Sequence, residues 1–269
     1  MKLQEIREAY LNEGLDYDNA SARACQEAFL TVVKASSFAG NVTFKGGVVM
    51  QQVSGDNRRA TQDIDFDFMR YSIADDSIRA FIDKLNANDS GIALSIVAPI
   101  QELKHQDYNG KRVLVAISDE DGTSIGTKLD IGVLKDMSVA QRDICFDIPG
   151  SDDSISLLAN TDEQMVAEKL KSLLRFRFAS TRYKDVFDMY YQFIIKGIDH
   201  ESLGFCMKRI VFDDGTVAER EWSEVHDSLS DVFTNRNYMG KLERARDNWL
   251  ELPVKQVTEG VLTAVKEMG

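Results

Sequence analysis

Three aspartates alternate with apolar residues in the segment Asp63–Phe68, which reads Asp-Ile-Asp-Phe-Asp-Phe. A period of two is typical of a β-strand that is buried on one face, so Ile64, Phe66 and Phe68 are predicted to face the core. The three carboxylates then share the other face, with neighbours about 6.5–7 Å apart. Like charges crowded in this way are costly unless a cation lies among them. The segment therefore predicts a divalent-metal site, with a solvated strand face as the alternative.

A second acidic strand is predicted around Asp130. In Lys128-Leu129-Asp130-Ile131-Gly132 the apolar residues again alternate, and the carboxylate lies on the opposite face. This strand can supply a third carboxylate beside Asp63 and Asp65. Mg²⁺ or Mn²⁺ would then be held by these carboxylates together with substrate phosphates, which is how Mg²⁺ is usually bound. Asp67 stays open as a ligand, since it lies further along the strand.

The first part of the chain has the pattern of an α/β fold. Helical periodicity covers residues 1–38, a short strand is predicted at Val42–Phe44, and Gly46-Gly47 allows a tight turn or a close backbone approach before an apolar run. A helix is predicted at 75–87. Further strands are predicted near 92–98, 111–118, 124–134 and 144–148. Together they predict an α/β unit with a mixed sheet.

The pattern becomes helical after Gly150. Thr161 with Gln164 three residues later predicts a capped helix start. Further helices are expected at about 183–196, 216–231 and 238–267, the last interrupted at Pro253. We therefore divide the chain into residues 1–155, a core with a helical cap, and residues 156–269, an all-α domain.

Composition narrows the function classes. The chain has 269 residues with 43% hydrophobic and 28% charged content, which is typical of a folded globular protein. No apolar run reaches the length of a signal peptide or membrane span, so no membrane and a cytoplasmic location are expected. A net charge of −12 argues against a nucleic-acid-coating function, although an enzyme with one basic cleft remains compatible.

Two kinds of metal site are excluded. The three cysteines are odd in number and far apart, so they are interpreted as small core residues, and the histidines lack zinc-ligand spacing. The acidic segment lacks the glycine and terminal glutamate of a calcium-binding EF-hand loop.

Several motifs in order resemble one family. Phe44-Lys45-Gly46-Gly47, followed by residues 58–66 (Arg-Arg-Ala-Thr-Gln-Asp-Ile-Asp-Phe), resembles the "KGG…R-x-S-x-D-I-D-F" signature of the AbiEii/MenT nucleotidyltransferase toxins. Asp130 within Leu-Asp-Ile, Glu168-Lys169-Leu170 and residues 184–188 (Lys-Asp-Val-Phe-Asp) match the family's later motifs. The resemblance spans roughly residues 40–190.

The resemblance implies a polymerase-β-like nucleotidyltransferase core and an NTP substrate. It assigns Asp63, Asp65 and Asp130 to the catalytic metals, and Gly46, Gly47 and Lys169 to the triphosphate. Asp185 matches the acidic residue of the family's Arg-Asp motif, and Arg59 matches the family's arginine upstream of the aspartates. For Arg59 a salt bridge that holds the loop is an equal alternative. The departures from the family pattern are Val48 and Thr61 where serine is usual and Lys184 where arginine is usual.

The family further implies transfer of a nucleoside monophosphate to RNA, with the 3′ end of tRNA as the suggested acceptor, and a separately encoded antitoxin. One alternative keeps the enzyme class but changes the acceptor to a protein hydroxyl or a small molecule. Another is a nucleotide-binding protein that has lost catalysis. The cations at and after Lys169 are the best anion-binding candidates, against a solvated helix face; they are Lys169, Lys171, Arg175, Arg177, Arg182 and Lys184.

Overall fold

The computed structural model describes residues 2–103, 110–147 and 154–269. His105 and the change of pattern at Gly150 lie outside these residues. The chain divides into two compact units, Met1–Asn160 and Thr161–Gly269.

The first unit is built on a mixed β-sheet. Its strands are β1 Val42–Lys45, β2 Asp63–Phe68, β3 Ile92–Ile96, β4 Gln101–Leu103, β5 Gly110–Asp119, β6 Ser124–Val133, β7 Gln141–Phe146 and β8 Ile155–Asn160. In the described residues they form one sheet in the order β3-β5-β6-β2-β1-β8-β7, with β4 also paired to β5. The predicted α/β class with a mixed sheet is confirmed, and β2 lies near the middle of the sheet.

Helices of the first unit supply its core. They are α1 Leu3–Asn12, α2 Tyr17–Ala35, α3 Gly46–Ser54 and α4 Asp75–Asn86. The side chain of Asp16 caps α2 by accepting a hydrogen bond from the backbone N–H of Asn19 at 2.9 Å. From α2, Phe29 packs against Phe44 and Phe66 of the sheet, with ring centroids 6.2 and 5.5 Å away, and all three rings are fully buried. The alternation of β2 thus orients its aromatic side chains toward this core and leaves the aspartates on the other face.

The second unit is helical. Its helices are α5 Asp162–Phe176, α6 Tyr183–Tyr190, α7 His200–Met207, α8 Trp222–Thr234, α9 Arg236–Arg244 and α10 Val254–Glu267, and two π-helical segments, Tyr191–Lys196 and Lys208–Phe212, follow α6 and α7. The predicted cap of α5 is confirmed, because Thr161 Oγ1 accepts from the backbone N–H of Gln164 at 3.2 Å.

Several sequence predictions were wrong in detail. The all-α prediction after Gly150 missed β8, whose mixed apolar and polar residues gave no clear strand period. The helix predicted from residue 216 begins at Trp222. The predicted interruption at Pro253 is confirmed, because the stretch 238–267 is divided into α9 and α10, with Pro253 at the start of α10. Proline is favoured at a helix start because it lacks a backbone N–H donor. Helix α7 and the short β4 were not predicted.

The cysteine interpretation also needs one correction. Cys25 and Cys206 are buried free thiols, but Cys145 is exposed on β7. In the described residues no helix has both the length and the apolar character needed to cross a membrane.

Candidate active site

The strand β2, which carries Asp63 and Asp65, lies between β1 and β6 in the sheet. It pairs antiparallel with β1 and parallel with β6. In this register Asp65 lies beside Asp130 of β6 on one side and beside Lys45 of β1 on the other. Residues paired across adjacent strands point to the same face of a sheet. The structure therefore brings Asp63, Asp65 and Asp130 to one face, with Asp130 nearly buried at 7% exposure.

An arginine from β5 lies among these carboxylates. Arg112 is paired in register with Asp130, and its guanidinium donates to both carboxylate oxygens, from Nε at 2.8 Å and from Nη2 at 2.6 Å. The same Nη2 lies 3.7 Å from an oxygen of Asp63. The hydrogen bonds to Asp130 and the nearby negative charges raise the pKa of Arg112 above its ordinary value. Arg112 is thus a permanent cation that compensates the carboxylate face.

Two lysines add further positive charge to the site. Lys128 of β6 lies 3.3 Å from Asp63, and Lys45 of β1 lies 2.7 Å from Asp67. Asp67, which the sequence left open as a ligand, is only 2% exposed and forms this buried ion pair. The sequence analysis did not single out Arg112, Lys45 or Lys128 as members of the site. The strands that carry these three residues have the alternation of any strand, so the sequence does not mark the residues as special. Only the pairing of the strands shows which carboxylate each of them contacts.

The two glycines lie at the start of α3, against the carboxylate strand. Gly46 has φ +63°, a backbone conformation that residues other than glycine rarely adopt. A Cβ at this position would lie 2.6 Å from Oδ2 of Asp65. A Cβ on Gly47 would lie 2.3 Å from the Thr61 hydroxyl oxygen. The pair therefore makes the close backbone approach that the sequence allowed, although as the first turn of a helix. The first N–H groups of a helix have no partner within the helix and attract anions.

The arginines before β2 occupy different environments. Arg59 is buried, at 4% exposure, and its Nη1 donates to the carbonyl oxygen of Ala60 at 3.4 Å. Arg58 is half-exposed and pairs with Asp56 at 2.6 Å. The side chain of Arg59 thus contacts the loop that leads into β2, and Arg58 makes an ion pair within its own turn. Both interpretations of Arg59, triphosphate contact and support of the loop, stay predictions.

The carboxylate face fits a divalent cation in its chemistry. Its donors are carboxylate oxygens, which Mg²⁺ prefers, and the missing Cβ of Gly46 lets the backbone at the start of α3 come close to the Asp65 carboxylate. In the part of the chain that the structure describes, no group of three or more His, Cys, Asp or Glu side chains is arranged to hold a metal ion. Arg112 engages both oxygens of Asp130. In this arrangement the arginine provides the positive charge that the face requires.

The second unit holds the other two predicted site residues. Lys169 of α5 donates from Nζ to Asp185 at 2.6 Å and to Asp188 at 2.9 Å, both on α6. Asp188 has no exposed surface, and its second carboxylate oxygen accepts from the indole N–H of Trp249 at 3.0 Å. Lys169 is 8% exposed. The lysine and Asp185 are therefore held in one hydrogen-bonded network with Asp188 and Trp249, whose part in it the sequence did not indicate.

Other cations of this segment also have anionic partners within the second unit. Lys171 lies 2.9 Å from Asp214, and Arg177 lies 3.3 Å from Asp231. Burial opposes ionisation of Asp214, but hydrogen bonds from Thr216 and Lys171 lower its pKa to about 2. These two basic residues thus form ion pairs within the protein. This weakens the interpretation of the whole segment as an anion-binding face.

Comparison with known proteins identifies one family. The sequence model of the AbiEii family, a nucleotidyl transferase toxin of a type IV toxin–antitoxin system, matches residues 28–256. A crystal structure of an antigenic nucleotidyltransferase-like protein from Paracoccidioides brasiliensis is similar at 14% identity and a TM-score of 0.40, over 81% of this chain and 93% of that chain. No curated protein matches the sequence at a significant level.

Proposed function

The chain belongs to the AbiEii family of nucleotidyl transferase toxins, and we propose that it transfers a nucleoside monophosphate from an NTP to the 3′ end of an RNA, with tRNA as the acceptor, in a reaction that needs Mg²⁺ or Mn²⁺. The transfer would inhibit growth in the cytoplasm unless a cognate antitoxin neutralises the protein. The observation that carries this proposal is the register of β2 with β6, which pairs Asp65 with Asp130 beside the glycine-led start of α3.

The proposed roles follow from the positions of the side chains. Asp63 and Asp65 would hold the metal, which when bound offsets the charge on the phosphates. Backbone N–H groups of Gly46 and Gly47 would bind triphosphate oxygens. We also assign Lys169, with Asp185 as its partner, to the triphosphate, as the family resemblance implies, and Arg59 to support of the loop before β2.

The chemistry is a displacement at the α-phosphorus. The acceptor hydroxyl oxygen forms a bond to this phosphorus while the bond to the β-phosphate bridging oxygen breaks, and pyrophosphate leaves with the electron pair. Asp130 would accept the hydroxyl proton. Little covalent chemistry falls to the protein, so positioning and charge compensation account for most of the rate.

Labelled nucleotides test this proposal directly. The purified protein is incubated with Mg²⁺ and each α-³²P-labelled NTP in turn, together with total RNA, and in a parallel reaction with lysate protein and small molecules. We expect label in RNA with the wild type, none with Asp65→Asn, and unchanged labelling with Asp76→Asn, which alters an exposed aspartate of α4. Mass spectrometry of the RNA should show one or more added nucleotides.

The other outcomes separate the alternatives. Label confined to protein or to a small molecule would replace the RNA acceptor and leave the enzyme class unchanged. Absence of label in every fraction with all four NTPs would refute nucleotidyl transfer. In cells, expression of the wild type should arrest growth and Asp65→Asn should relieve the arrest; equal toxicity of both would favour a protein that acts by binding.

A further inference from the structure

A groove in the first unit reaches Asp63 from the side of β6 and β5. Its volume is about 670 Å³, and it is lined by residues of α1, α2, β5, β6 and the start of β2. This volume lies within the range of roughly 300–1,000 Å³ that is typical of small-ligand sites. The lining residues on which the argument rests are Arg7, Tyr17, Asp63, Gly126 and Lys128. The groove is therefore large enough for a nucleotide and reaches a proposed catalytic carboxylate.

The direction of the groove matches the geometry of the transfer. In phosphoryl transfer the attacking and leaving oxygens lie roughly in line on opposite sides of the phosphorus. Gly46 and Gly47 approach β2 from the side of β1, where the pyrophosphate would leave. The groove lies on the side of β6 and β5. The attacking hydroxyl, and hence the acceptor, belongs on this side.

An exposed aromatic ring stands in the groove. Tyr17 is 59% exposed. The guanidinium of Arg7 lies 4.9 Å from its ring centroid and donates a hydrogen bond to its hydroxyl oxygen at 2.9 Å. The arginine thus fixes the ring and adds positive charge. An exposed aromatic ring next to a cation is a usual platform for an unpaired base of single-stranded RNA.

A glycine in the middle of β6 is the second indication. A Cβ on Gly126 would meet nothing within 4 Å, and the backbone there does not adopt a positive φ, so neither packing nor conformation requires glycine. Glycine weakens a strand interior and often marks the close approach of a ligand. Since Gly126 lines the groove, a bound molecule accounts for the missing side chain.

We propose that this groove binds the unpaired 3′-terminal nucleotides of the RNA acceptor, with a base stacked on Tyr17 and the backbone passing over Gly126 toward Asp63. This assignment rests on the proposed function for the identity of the acceptor. Arg7 supplies positive charge for the phosphates, and Lys128, which pairs with Asp63, lies at the end of the groove next to that carboxylate. A protein acceptor would not need a stacking surface of this kind.

Binding of a short RNA tests the groove without catalysis. The probe is a 5′-fluorescein-labelled single-stranded oligoribonucleotide that ends in CCA, and its dissociation constant is measured by fluorescence anisotropy in EDTA. Tyr17→Ala should weaken binding about tenfold, whereas Tyr17→Phe, which keeps the ring, should stay within about twofold. Gly126→Val should weaken binding at least as much, because its side chain fills the groove. Ala93→Val, an exposed position of β3 outside the groove, is the matched control.

Folding and function are separated in the same experiment. Valine favours a strand, so Gly126→Val should unfold at a temperature no lower than the wild type. With Mg²⁺, Tyr17→Ala and Gly126→Val should raise KM for the RNA and leave KM for the NTP unchanged. Wild-type affinity in both variants would overturn the groove assignment, as would failure of the wild-type protein to bind the oligonucleotide. Groove-dependent binding without nucleotide transfer would support the groove and refute the proposed function.

Discussion

At the scale of single residues, Arg112 determines the charge of the candidate site. It binds both oxygens of Asp130 and lies 3.7 Å from Asp63. A divalent cation on the same face would compete with this guanidinium for the carboxylates. The structure therefore shows the carboxylates of this face beside counter-charges that the chain itself supplies, which explains how these aspartates can lie together in a folded protein.

Replacement of Arg112 should make stability depend on the metal. Arg112→Met leaves Asp130 without its main counter-charge, so the free energy of unfolding in EDTA should fall by about 1–2 kcal/mol, less than for a fully buried pair because the arginine is partly exposed. Mg²⁺ should restore most of this loss, and urea unfolding with and without Mg²⁺ measures it. Arg79→Met, at an exposed position of α4, is the control. An identical loss in both buffers would contradict metal binding at this face.

A second residue-scale prediction concerns Glu27 in the core of the first unit. Its side chain is 2% exposed, accepts a hydrogen bond from the Tyr10 hydroxyl, and lies 3.6 Å from Arg23. Burial raises the pKa of Glu27 to about 9, against an ordinary value of 4.5. Between these values the folded protein binds a proton that the unfolded chain has lost. Stability from this group is therefore complete below about pH 4.5 and is lost as pH rises toward 9.

The isosteric variant Glu27→Gln removes this proton linkage. We expect the wild type to lose up to about 1.4 kcal/mol of unfolding free energy per pH unit from this group between pH 5 and 9, and the variant to show a flatter profile. Urea unfolding at pH 5, 7 and 9 gives both slopes. Parallel profiles would show that Glu27 is ionised in the folded protein.

At the scale of elements, the start of α3 can lie close to β2 because its first two residues, Gly46 and Gly47, have no side chains. Gly47 fits against Thr61, whose Cβ, Oγ1 and Cγ2 atoms would all lie within 2.7 Å of a Cβ on that glycine. The helix can approach β2 only because both of its first residues are glycine. This contact links the helix start, which would bind phosphate, to the loop that carries the chain into the aspartate strand.

A double-mutant cycle tests this contact. Gly47→Ala should destabilise the protein by about 1–3 kcal/mol through overpacking, and the cost should largely disappear in the Thr61→Gly background, where the clashing atoms are absent. Gly204→Ala in α7, where a Cβ would meet nothing within 4 Å, should be neutral or stabilising. Chemical unfolding of the wild type, the two single variants and the double variant gives the coupling energy between positions 47 and 61. A value near zero would mean that the helix start shifts and thereby avoids the clash with Thr61.

At the scale of the whole molecule, the chain has two compact units with cores of their own. We expect calorimetric unfolding to show two transitions. Val113→Ala in β5 and Leu229→Ala in α8 each truncate a fully buried side chain; the cost should be about 2–5 kcal/mol for the leucine and somewhat less for the valine. Each variant should lower a different transition. If both lower one shared transition, the units unfold together.

Local patterns in the sequence determined the faces of individual elements. The alternation in Asp63–Phe68 placed the aspartates opposite the aromatic side chains, Thr161 marked the start of α5, and the ordered motifs indicated the family whose model matches residues 28–256. These features depend on neighbours within a few residues, so periodicity and capping are sufficient to predict them.

Only the tertiary structure decided which side chains meet. The parallel pairing of β2 with β6 set Asp65 beside Asp130, and the pairing of β5 with β6 brought Arg112 to the same carboxylates. Trp249 reaches Asp188 from 61 residues away. Such contacts depend on strand order, register and the packing of distant segments, which no local period encodes. The sequence therefore specified the carboxylates and their strand, whereas the fold supplied their counter-charges, the groove at Asp63 and the space beside Gly126.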